Sequence, residues 1–308
     1  MFTAFPRKND TVSIYRFNCL FWSRLHKTVN SIQHSGMNFQ NKNVLITGGS
    51  RGIGKAIAIR LAKEGANVAI VGKTTEPHPK LEGTIFTAAA EIDQGLGKIL
   101  PLQGDIRYED QIDQFVQATA EAFGGIDVLI NNASAINLSP TEQLEPKRFD
   151  LMHGINVRGT FFVSRACLPF LKKSSNAHIL NLSPPLNMKP EWFSKHLGYT
   201  MSKYGMSMIV LGLAEELKSQ RIAVNALWPM TTIATAAVQN LLGGDYLIRR
   251  SRKPEIVADA AALILNRDAS ACSGNFFIDE DVLKEAGITD FSHYAVDPEQ
   301  KLMKDLFL

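Results

Sequence analysis

Short aliphatic runs alternate with longer segments of helical periodicity along most of the chain. The runs have the length of β-strands and occupy residues 44–46, 68–71, 99–102, 128–130, 179–182, 222–224 and 276–278. The segments between them carry apolar residues at the spacing of amphipathic helices, as at 53–64, 112–123, 199–218 and 254–265. Strands that are apolar at every position are buried on both faces, as in a parallel sheet. The alternation therefore predicts an α/β fold, a doubly wound parallel sheet of the Rossmann type.

The length and composition of the chain suit one large core. It has 308 residues, of which 45% are hydrophobic and 20% are charged. No Pro-, Gly- or Ser-rich linker divides it, so we expect a single domain over residues 38–290. Residues 1–37 are predicted to form an N-terminal extension, and residues 291–308 a polar C-terminal tail without assigned structure.

The extension is basic and almost free of acids. Its charged residues are Arg7, Lys8, Arg16, Arg24 and Lys27, against Asp10. Residues 1–36 therefore resemble a mitochondrial transit peptide, with a peroxisomal or cytoplasmic location as alternatives. Equally, Met37 lies just ahead of the first strand and could be the true start of the protein. Residues 304–308 do not match a peroxisomal C-terminal address.

Charge and cysteine usage exclude several classes of function. The formal net charge is +3 and stems from the extension, so the rest of the chain is near neutral, which argues against a nucleic-acid partner. No uncharged apolar run approaches the roughly 18 residues of a membrane span. Cys19, Cys167 and Cys272 are far apart and lack metal-ligand spacing, so we expect reduced thiols and no metal site.

A glycine-rich loop, Thr-Gly-Gly-Ser-Arg-Gly-Ile-Gly at residues 47–54, lies directly between the first strand and the first helix. Glycines allow a tight turn and let backbone N–H groups approach a pyrophosphate, to which the helix N-terminus adds partial positive charge. In this position the pattern predicts a dinucleotide site rather than an ordinary turn. The expected contacts are Thr47, Gly48, Ser50, Arg51, Gly52, Ile53 and Gly54.

The end of the second strand indicates which dinucleotide binds. It reads Val-Gly-Lys-Thr at residues 71–74, without the acid that usually binds the ribose 2′-hydroxyl of NAD. Lys73 and Arg51 are instead placed to bind a 2′-phosphate through charge-assisted hydrogen bonds. We therefore expect NADP as the cofactor, in preference to NAD. The alternative for both cations is a solvated surface position.

Tyr199 and Lys203 are four residues apart on a predicted helix, so their side chains share one face. A nearby ammonium together with an oxidised nicotinamide would favour the phenolate and bring the pKa of Tyr199 from about 10 nearer to neutrality. The phenol could then act as general acid in reduction and general base in oxidation. Ser183 follows the strand at 179–182, where it could hold a substrate oxygen or cap a turn.

Together these residues resemble the short-chain dehydrogenase/reductase family over roughly residues 40–280. The motifs that carry the resemblance are the loop at 47–54, Asp105, Asn131-Asn132-Ala133-Ser134, Asn156-Val157-Arg158-Gly159, Ser183, Tyr199 and Lys203. The resemblance implies that Asp105 contacts the adenine, Asn132 stiffens the central sheet and Asn156 supports a proton relay. It implies that Lys203 holds the nicotinamide ribose and that subunits associate through helix pairs. Further cofactor contacts implied in this way are Ile106, Ala133, Ser134, Tyr199, Pro229, Thr231 and Thr232.

Residues 73–81, 182–187 and 204–208 carry a narrower likeness, to the hydroxysteroid dehydrogenase-like protein 2 group. That group implies a link to lipid or fatty acid metabolism in mitochondria or peroxisomes. Three features depart from the wider family. Ser134 replaces the customary glycine after the Asn-Asn-Ala run. Ser183 precedes Tyr199 by 16 positions, a few more than usual, and Met230 follows Pro229 where the family has glycine.

A mostly apolar stretch at 233–242 occupies the position of the family's substrate lid and favours an apolar, lipid-like small-molecule substrate. A plain amphipathic surface helix would give the same pattern. The basic residues that follow, as a solvated loop or a site for a carboxylate or phosphate, are Arg249, Arg250, Arg252 and Lys253.

The leading hypothesis is an NADP(H)-dependent alcohol dehydrogenase or carbonyl reductase, with Tyr199 as acid/base and Ser183 orienting the carbonyl. The alternatives are a non-catalytic NADP-binding sensor or scaffold, and an enoyl reductase or epimerase.

Overall fold

The structure of the chain, a computed structural model, describes residues 37–77, 83–93 and 96–308. The predicted N-terminal extension lies outside these residues except for Met37, as do Cys19 and residues 78–81 of the narrower likeness. Within the described part of the chain, one parallel sheet carries helices on both faces. The predicted doubly wound sheet in a single domain is therefore confirmed.

The sheet is parallel throughout. Its strands are β1 Asn43–Thr47, β2 Asn67–Gly72, β3 Ile99–Gln103, β4 Val128–Asn131, β5 Ala177–Asn181, β6 Ile222–Trp228 and β7 Phe276–Ile278. Their order across the sheet is β3-β2-β1-β4-β5-β6-β7. The direction of winding reverses between β1 and β4, so the chain leaves these two neighbours toward different sides and a crevice opens at their carboxyl ends.

Helices fill the connections between strands. They are α1 Gly52–Lys63, α2 Ile85–Ile92, α3 Glu109–Phe123, α4 Pro146–Met152, α5 Thr160–Leu171, α6 Glu191–Ser194, α7 Leu197–Glu216, α8 Gly244–Arg249, α9 Glu255–Leu265 and α10 Asp279–Glu285. Two π-helical segments are His153–Gly159, between α4 and α5, and Val238–Leu242, before α8. No helix within the described residues has both the length and the apolar character needed to cross a bilayer.

The strands consist of apolar runs because helices cover each strand on both faces. In β1, Val44 and Ile46 belong to the apolar cluster that includes residues of α1 and α9. Leu45 between them belongs to the opposite cluster, with residues of α3, α5 and α7. Since successive side chains of a strand point to opposite faces, a strand between two helical layers must be apolar at every position. The two described cysteines, Cys167 and Cys272, are both buried.

The predicted polar tail at 291–308 is instead a packed part of the domain. The N–H of Thr232 donates to Met303 O at 3.0 Å, and the N–H of Asp305 donates to Met230 O at 3.1 Å. Phe307 is completely buried. The rings around it, with centroids between 5.3 and 6.2 Å from its own, belong to Trp192, His196, Tyr199, Tyr204 and Trp228. The sequence does not predict this packing, because the apolar residues of the tail show no periodicity and the aromatic partners of Phe307 are all distant in sequence.

Replacing Phe307 with alanine should lower the free energy of unfolding by about 3–5 kcal/mol, because a fully buried aromatic side chain leaves a cavity behind. Urea unfolding followed by circular dichroism measures the change. The matched control is Met303→Ala in the same segment, whose side chain is 39% exposed and whose loss should cost less than about 1 kcal/mol. Equal effects of the two substitutions would contradict a core role for the tail.

Candidate active site

A first cavity of about 450 Å³ opens at the carboxyl ends of β1 to β4. Most of the predicted cofactor residues line it, namely Gly48, Ser50, Arg51, Gly52, Ile53, Lys73, Asp105, Ile106, Asn132, Ala133 and Ser134. This edge of a doubly wound sheet, at the point where the strand order reverses, is where such folds bind ligands. The sequence pattern and the topology therefore agree on one location.

The glycine-rich loop needs its glycines for close approach. Gly48 has a left-handed φ of 70°. A Cβ at this position would lie 2.9 Å from Ala133 Cα, so the loop can pass this near to the chain after β4 only as glycine. Arg51, just before α1, is extended and its side chain does not cap the helix. The N–H groups in the first turn of α1 are thus left for a ligand in the first cavity.

Thr47, Asn132 and Gly54 form the frame of this loop. The Asn132 side-chain amide donates to Thr47 O at 3.1 Å and to Gly48 O at 2.9 Å. The backbone N–H groups of Asn132 and Ala133 each donate to Thr47 Oγ1 at 3.2 Å. A Cβ on Gly54 would lie 2.5 Å from the Asn132 amide nitrogen. Thr47 and Gly54 are not among the described residues that line the first cavity, so their role is to hold the loop in place.

Two cations lie on the wall of the first cavity. Arg51 donates through Nη2 to Gly83 O at 3.1 Å, while its Nε is buried without a hydrogen-bond partner among the described residues. Burial lowers the pKa of this guanidinium. Lys73 Nζ lies 3.6 Å from Asp105 Oδ2. An unpartnered buried donor, a second cation and a glycine cradle together fit the phosphates of a dinucleotide.

Arg107 was not singled out from the sequence, yet it holds Asp105. Its Nη2 lies 2.5 Å from Asp105 Oδ2, and its Nε lies 3.0 Å from both carboxylate oxygens. Burial alone would raise the pKa of Asp105, but hydrogen bonds from Arg107 and the charges of Lys73 and Arg107 together lower it. In the sequence, only the spacing of two residues between Asp105 and Arg107 could have indicated this pair. A solvated arginine could stand at the same spacing.

A second cavity of about 440 Å³ adjoins the first. The two cavities share wall residues, which are Ile53, Asn132, Ser134, Thr235 and Ala237. Tyr199, Lys203, Pro229 and Thr232 line the second cavity. Its apolar wall consists of Ile136, Leu138, Leu182, Trp228, Ile233, Val238, Leu242, Leu247, Met303 and Leu306. The predicted Tyr/Lys pair and the predicted lid therefore meet in one chamber beside the glycine-rich loop.

Lys203 and Tyr199 are both deeply buried on α7. Lys203 Nζ donates to Leu182 O at 2.7 Å and lies 5.0 Å from the Trp228 ring centroid. Burial lowers the pKa of Lys203 to about 7, against the opposing charge of Asp305. Burial raises the pKa of Tyr199, and the charge of Asp305 raises it further. The expected shift toward neutrality is therefore absent from the protein alone and would need the positive charge of an oxidised nicotinamide.

Ser183 lies outside the described walls of both cavities. Its Oγ is buried without a hydrogen-bond partner in the described part of the chain. The preceding residue, Leu182, lines the second cavity. The predicted orientation of a substrate carbonyl by Ser183 is thus not supported by its position.

Asn156 lies in the π-helical segment His153–Gly159 and is completely buried. Its Oδ1 accepts the Ala135 N–H at 2.8 Å, and its Nδ2 donates to Ala135 O at 2.9 Å and to Ser202 Oγ at 3.0 Å. Ser202 Oγ donates in turn to Tyr199 O at 2.8 Å. Asn156 therefore ties the loop after β4 to the start of α7. It does not belong to the described walls of the cavities.

The predicted threonines lie in different surroundings, and one residue of the predicted basic cluster is buried. Thr232 lines the second cavity, whereas Thr231 pairs through its backbone with Lys304, and its hydroxyl is buried without a partner among the described residues. Arg252 is buried, with Nη1 3.2 Å from Glu280 Oε2. This arginine is therefore engaged inside the domain and is no part of a solvated loop.

Four residues of the C-terminal segment, which we define as residues 303–308, complete the second cavity. They are Met303, Lys304, Asp305 and Leu306. Their place in the wall could not be inferred from the sequence, where residues 291–308 are predicted as a tail. The segment brings a carboxylate into an otherwise largely apolar chamber.

The fold and the glycine-rich loop define the class of protein. The family model described as short chain dehydrogenase matches residues 42–243. The chain belongs to the short-chain dehydrogenase/reductase family, a family of NAD(P)-dependent oxidoreductases. The predicted membership is thereby confirmed.

Curated relatives narrow the likeness within that family. The chain is 57% identical to hydroxysteroid dehydrogenase-like protein 2 of Rattus norvegicus over 265 residues, which is 86% of this chain and 50% of that protein. It is 56% identical to the protein of that name from Homo sapiens, again over 86% of this chain, and 63% of that protein is covered. The chain thus spans half to somewhat under two thirds of the length of these relatives.

Solved structures share the architecture. A dehydrogenase from Xanthomonas campestris has a TM-score of 0.85 and 52% identity, covering 88% of this chain and 99% of its own. A short chain dehydrogenase from Mycobacterium thermoresistibile has a TM-score of 0.83 and 55% identity, covering 88% of this chain and 96% of its own.

Substituting Gly48 with alanine should weaken dinucleotide binding by at least about tenfold, because the new Cβ would push the loop away from Ala133. Fluorescence titration with NADPH measures the affinity. Gly124→Ala is the matched control, since Gly124 has a φ of 85° but no atom within 4 Å of the new Cβ. The control should lose about 1 kcal/mol of stability and keep its affinity. Wild-type affinity in Gly48→Ala would contradict the role given to this loop.

Proposed function

We propose that this chain is an NADP(H)-dependent oxidoreductase that interconverts a hydroxyl and a carbonyl on an apolar, lipid-like small molecule, with Tyr199 as acid/base. One observation carries the proposal. Tyr199 and Lys203 line a largely apolar cavity that adjoins the cavity of the glycine-rich loop, with shared residues between the two. Such an arrangement would let a nicotinamide and an apolar substrate meet beside an ionisable phenol.

The residues divide the chemistry between them. The nicotinamide, when bound, supplies or accepts the hydride. Tyr199 donates its phenolic proton to the substrate oxygen in reduction and accepts it back in oxidation. Burial raises the pKa of Tyr199, which suits the protonated phenol to the reductive direction. Lys203 favours the phenolate electrostatically after the proton has left, and it would hold the cofactor's ribose.

The preference for NADP over NAD rests on charge. Lys73 and Arg51 line the first cavity, and Arg51 Nε has no hydrogen-bond partner among the described residues. A 2′-phosphate would give both cations a dianionic partner. Asp105 is already engaged by Lys73 and Arg107, which leaves it less suited to bind a ribose hydroxyl.

A non-catalytic NADP-binding sensor is a second candidate, and one observation favours it. The Ser183 hydroxyl is buried without a partner among the described residues, and Ser183 is not one of the described residues that line the second cavity, although it is the group expected to orient a carbonyl. The residues that bind a nucleotide would serve a sensor equally well.

Assembly and location remain part of the proposal. Exposed apolar side chains on α5 and α7 support a homo-oligomer formed through these helices, and they are Phe161, Met201, Met208 and Leu211. The basic, acid-poor residues 1–36 support a mitochondrial location, with the peroxisome and the cytoplasm as alternatives.

Tyr199→Phe should lower turnover of apolar ketones or alcohols by at least about a hundredfold, because the ring stays while the transferable proton is lost. Initial rates of NADPH oxidation over a panel of ketones of increasing chain length measure the effect. The affinity for NADPH, titrated by fluorescence, should stay unchanged. If the wild-type protein binds NADPH but turns over no ketone of the panel, the result would favour the non-catalytic sensor.

Wild-type protein should bind NADPH at least about tenfold more tightly than NADH, since two cations face the 2′-phosphate. Lys73→Gln should remove most of that preference and leave NADH binding unchanged. Lys55→Gln is the matched control, because Lys55 is paired with Glu91 at 2.6 Å and lies outside the described wall of the first cavity. Tighter binding of NADH by the wild type would overturn the cofactor assignment.

A further inference from the structure

The C-terminal segment is fixed to three separate parts of the domain. Met303 N–H donates to Arg250 O at 2.8 Å, and Asp305 N–H donates to Met230 O at 3.1 Å. Trp228 Nε1 donates to Leu306 O at 2.9 Å. Together with the burial of Phe307, these bonds fix the backbone on both sides of Asp305. The position of the Asp305 carboxylate is therefore set by the fold.

Asp305 lies in the wall of the second cavity. It lines the cavity together with Tyr199 and Lys203, and one of its carboxylate oxygens accepts the Leu306 N–H at 2.7 Å. Among the described residues that line this cavity, Asp305 is the one acid, against the cations Lys203 and Lys304. The C-terminal segment thus places an acid in a chamber whose other charged wall residues are cations.

The charges around Asp305 come from three elements. Lys203 and Tyr199 of α7 and Asp279 at the start of α10 interact electrostatically with Asp305. Lys304 precedes it in the segment. Burial raises the pKa of Asp305 to about 7, with the charge of Asp279 adding and that of Lys203 opposing. Asp279 is itself held by the N–H groups of Met230 and Glu280, at 2.8 and 2.7 Å.

An oxidised nicotinamide carries a positive charge, whereas the reduced ring is neutral. In the second cavity the oxidised ring would lie near Lys203, which carries its proton about half of the time near pH 7, and like charges repel strongly in surroundings of low polarity. As long as Tyr199 keeps its proton, neither its phenol nor the apolar wall supplies a negative charge to offset these positive charges. Asp305 does.

We propose that Asp305 supplies the negative counter-charge in the second cavity. Its carboxylate offsets the positive charge of an oxidised nicotinamide beside Lys203, so that the site binds NADP⁺ more tightly, relative to NADPH, than its other residues would allow. The inference rests on the proposed function, because it requires a nicotinamide in the second cavity. It assigns a role to a residue outside the Tyr/Lys pair and outside the glycine-rich loop.

Asp305→Asn tests the proposal, because it removes the charge with little change of volume. Dissociation constants for NADP⁺ and NADPH are measured by isothermal titration calorimetry at pH 8, where most of the Asp305 carboxyl is ionised. We expect NADP⁺ to bind at least about tenfold more weakly and NADPH to be almost unaffected. Asp305→Glu should restore the wild-type ratio. Glu299→Gln removes the same charge from an exposed position of residues 291–308 and should leave the ratio unchanged.

A second measurement needs no variant. In wild-type protein labelled with ¹³C at aspartate carboxyls, two resonances should titrate unusually high, because burial raises the pKa of Asp305 to about 7 and that of Asp279 to about 6. Asp305 lines the second cavity and Asp279 does not belong to its described wall. NADP⁺ should therefore lower the midpoint of one of the two resonances by about one pH unit, and NADPH should not.

The outcomes separate the inference from the proposed function. Equal weakening of NADP⁺ and NADPH in Asp305→Asn would show a merely structural role and overturn the inference. The inference would also be overturned if Asp305→Asn left the ratio of NADP⁺ to NADPH affinity unchanged, or if NADP⁺ did not shift either aspartate titration. In both cases the proposed binding of NADP would be unaffected. Wild-type protein that binds neither form would overturn the proposed function, and the inference with it.

Discussion

The hydrogen bonds between Thr47 and Asn132 join the two loops that leave β1 and β4, and the site depends on them. These strands lie side by side at the point where the winding of the sheet reverses, so their loops diverge and would otherwise separate. The Asn132 amide spans the gap to Thr47 O and Gly48 O. With the loops joined, the first turn of α1 faces one cavity and the residues after β4 border both cavities.

The fold and the nucleotide half of the site could be predicted because their signals are local. A strand between two helical layers is apolar at each position, and a phosphate loop needs glycine where its backbone comes close to another chain segment. The substrate half has no such signal. Leu182 lines the second cavity and its neighbour Ser183 does not, and no pattern in the sequence marks that difference. Phe307 meets rings that lie about 80 to 115 residues earlier in the sequence, and no periodicity marks it.

The second cavity combines apolar walls with four ionisable groups, which are Tyr199, Lys203, Lys304 and Asp305. An ammonium in such surroundings is costly, and the low pKa of Lys203 reflects that cost. The Leu182 carbonyl, the face of Trp228 and the charge of Asp305 each reduce it. Groups whose pKa values lie near neutrality change charge readily when a charged ligand arrives, which suits a chamber where charge is transferred.

The position of the C-terminal segment has a consequence for how the protein is made. Most of the first cavity is built from residues before 156, whereas the second is closed by residues near 305. Domains emerge from the ribosome N-terminus first, at roughly 5–20 residues per second. The nucleotide half can therefore begin to take shape before residues 303–308 have been made, while the chamber for the substrate is completed only once that segment has docked.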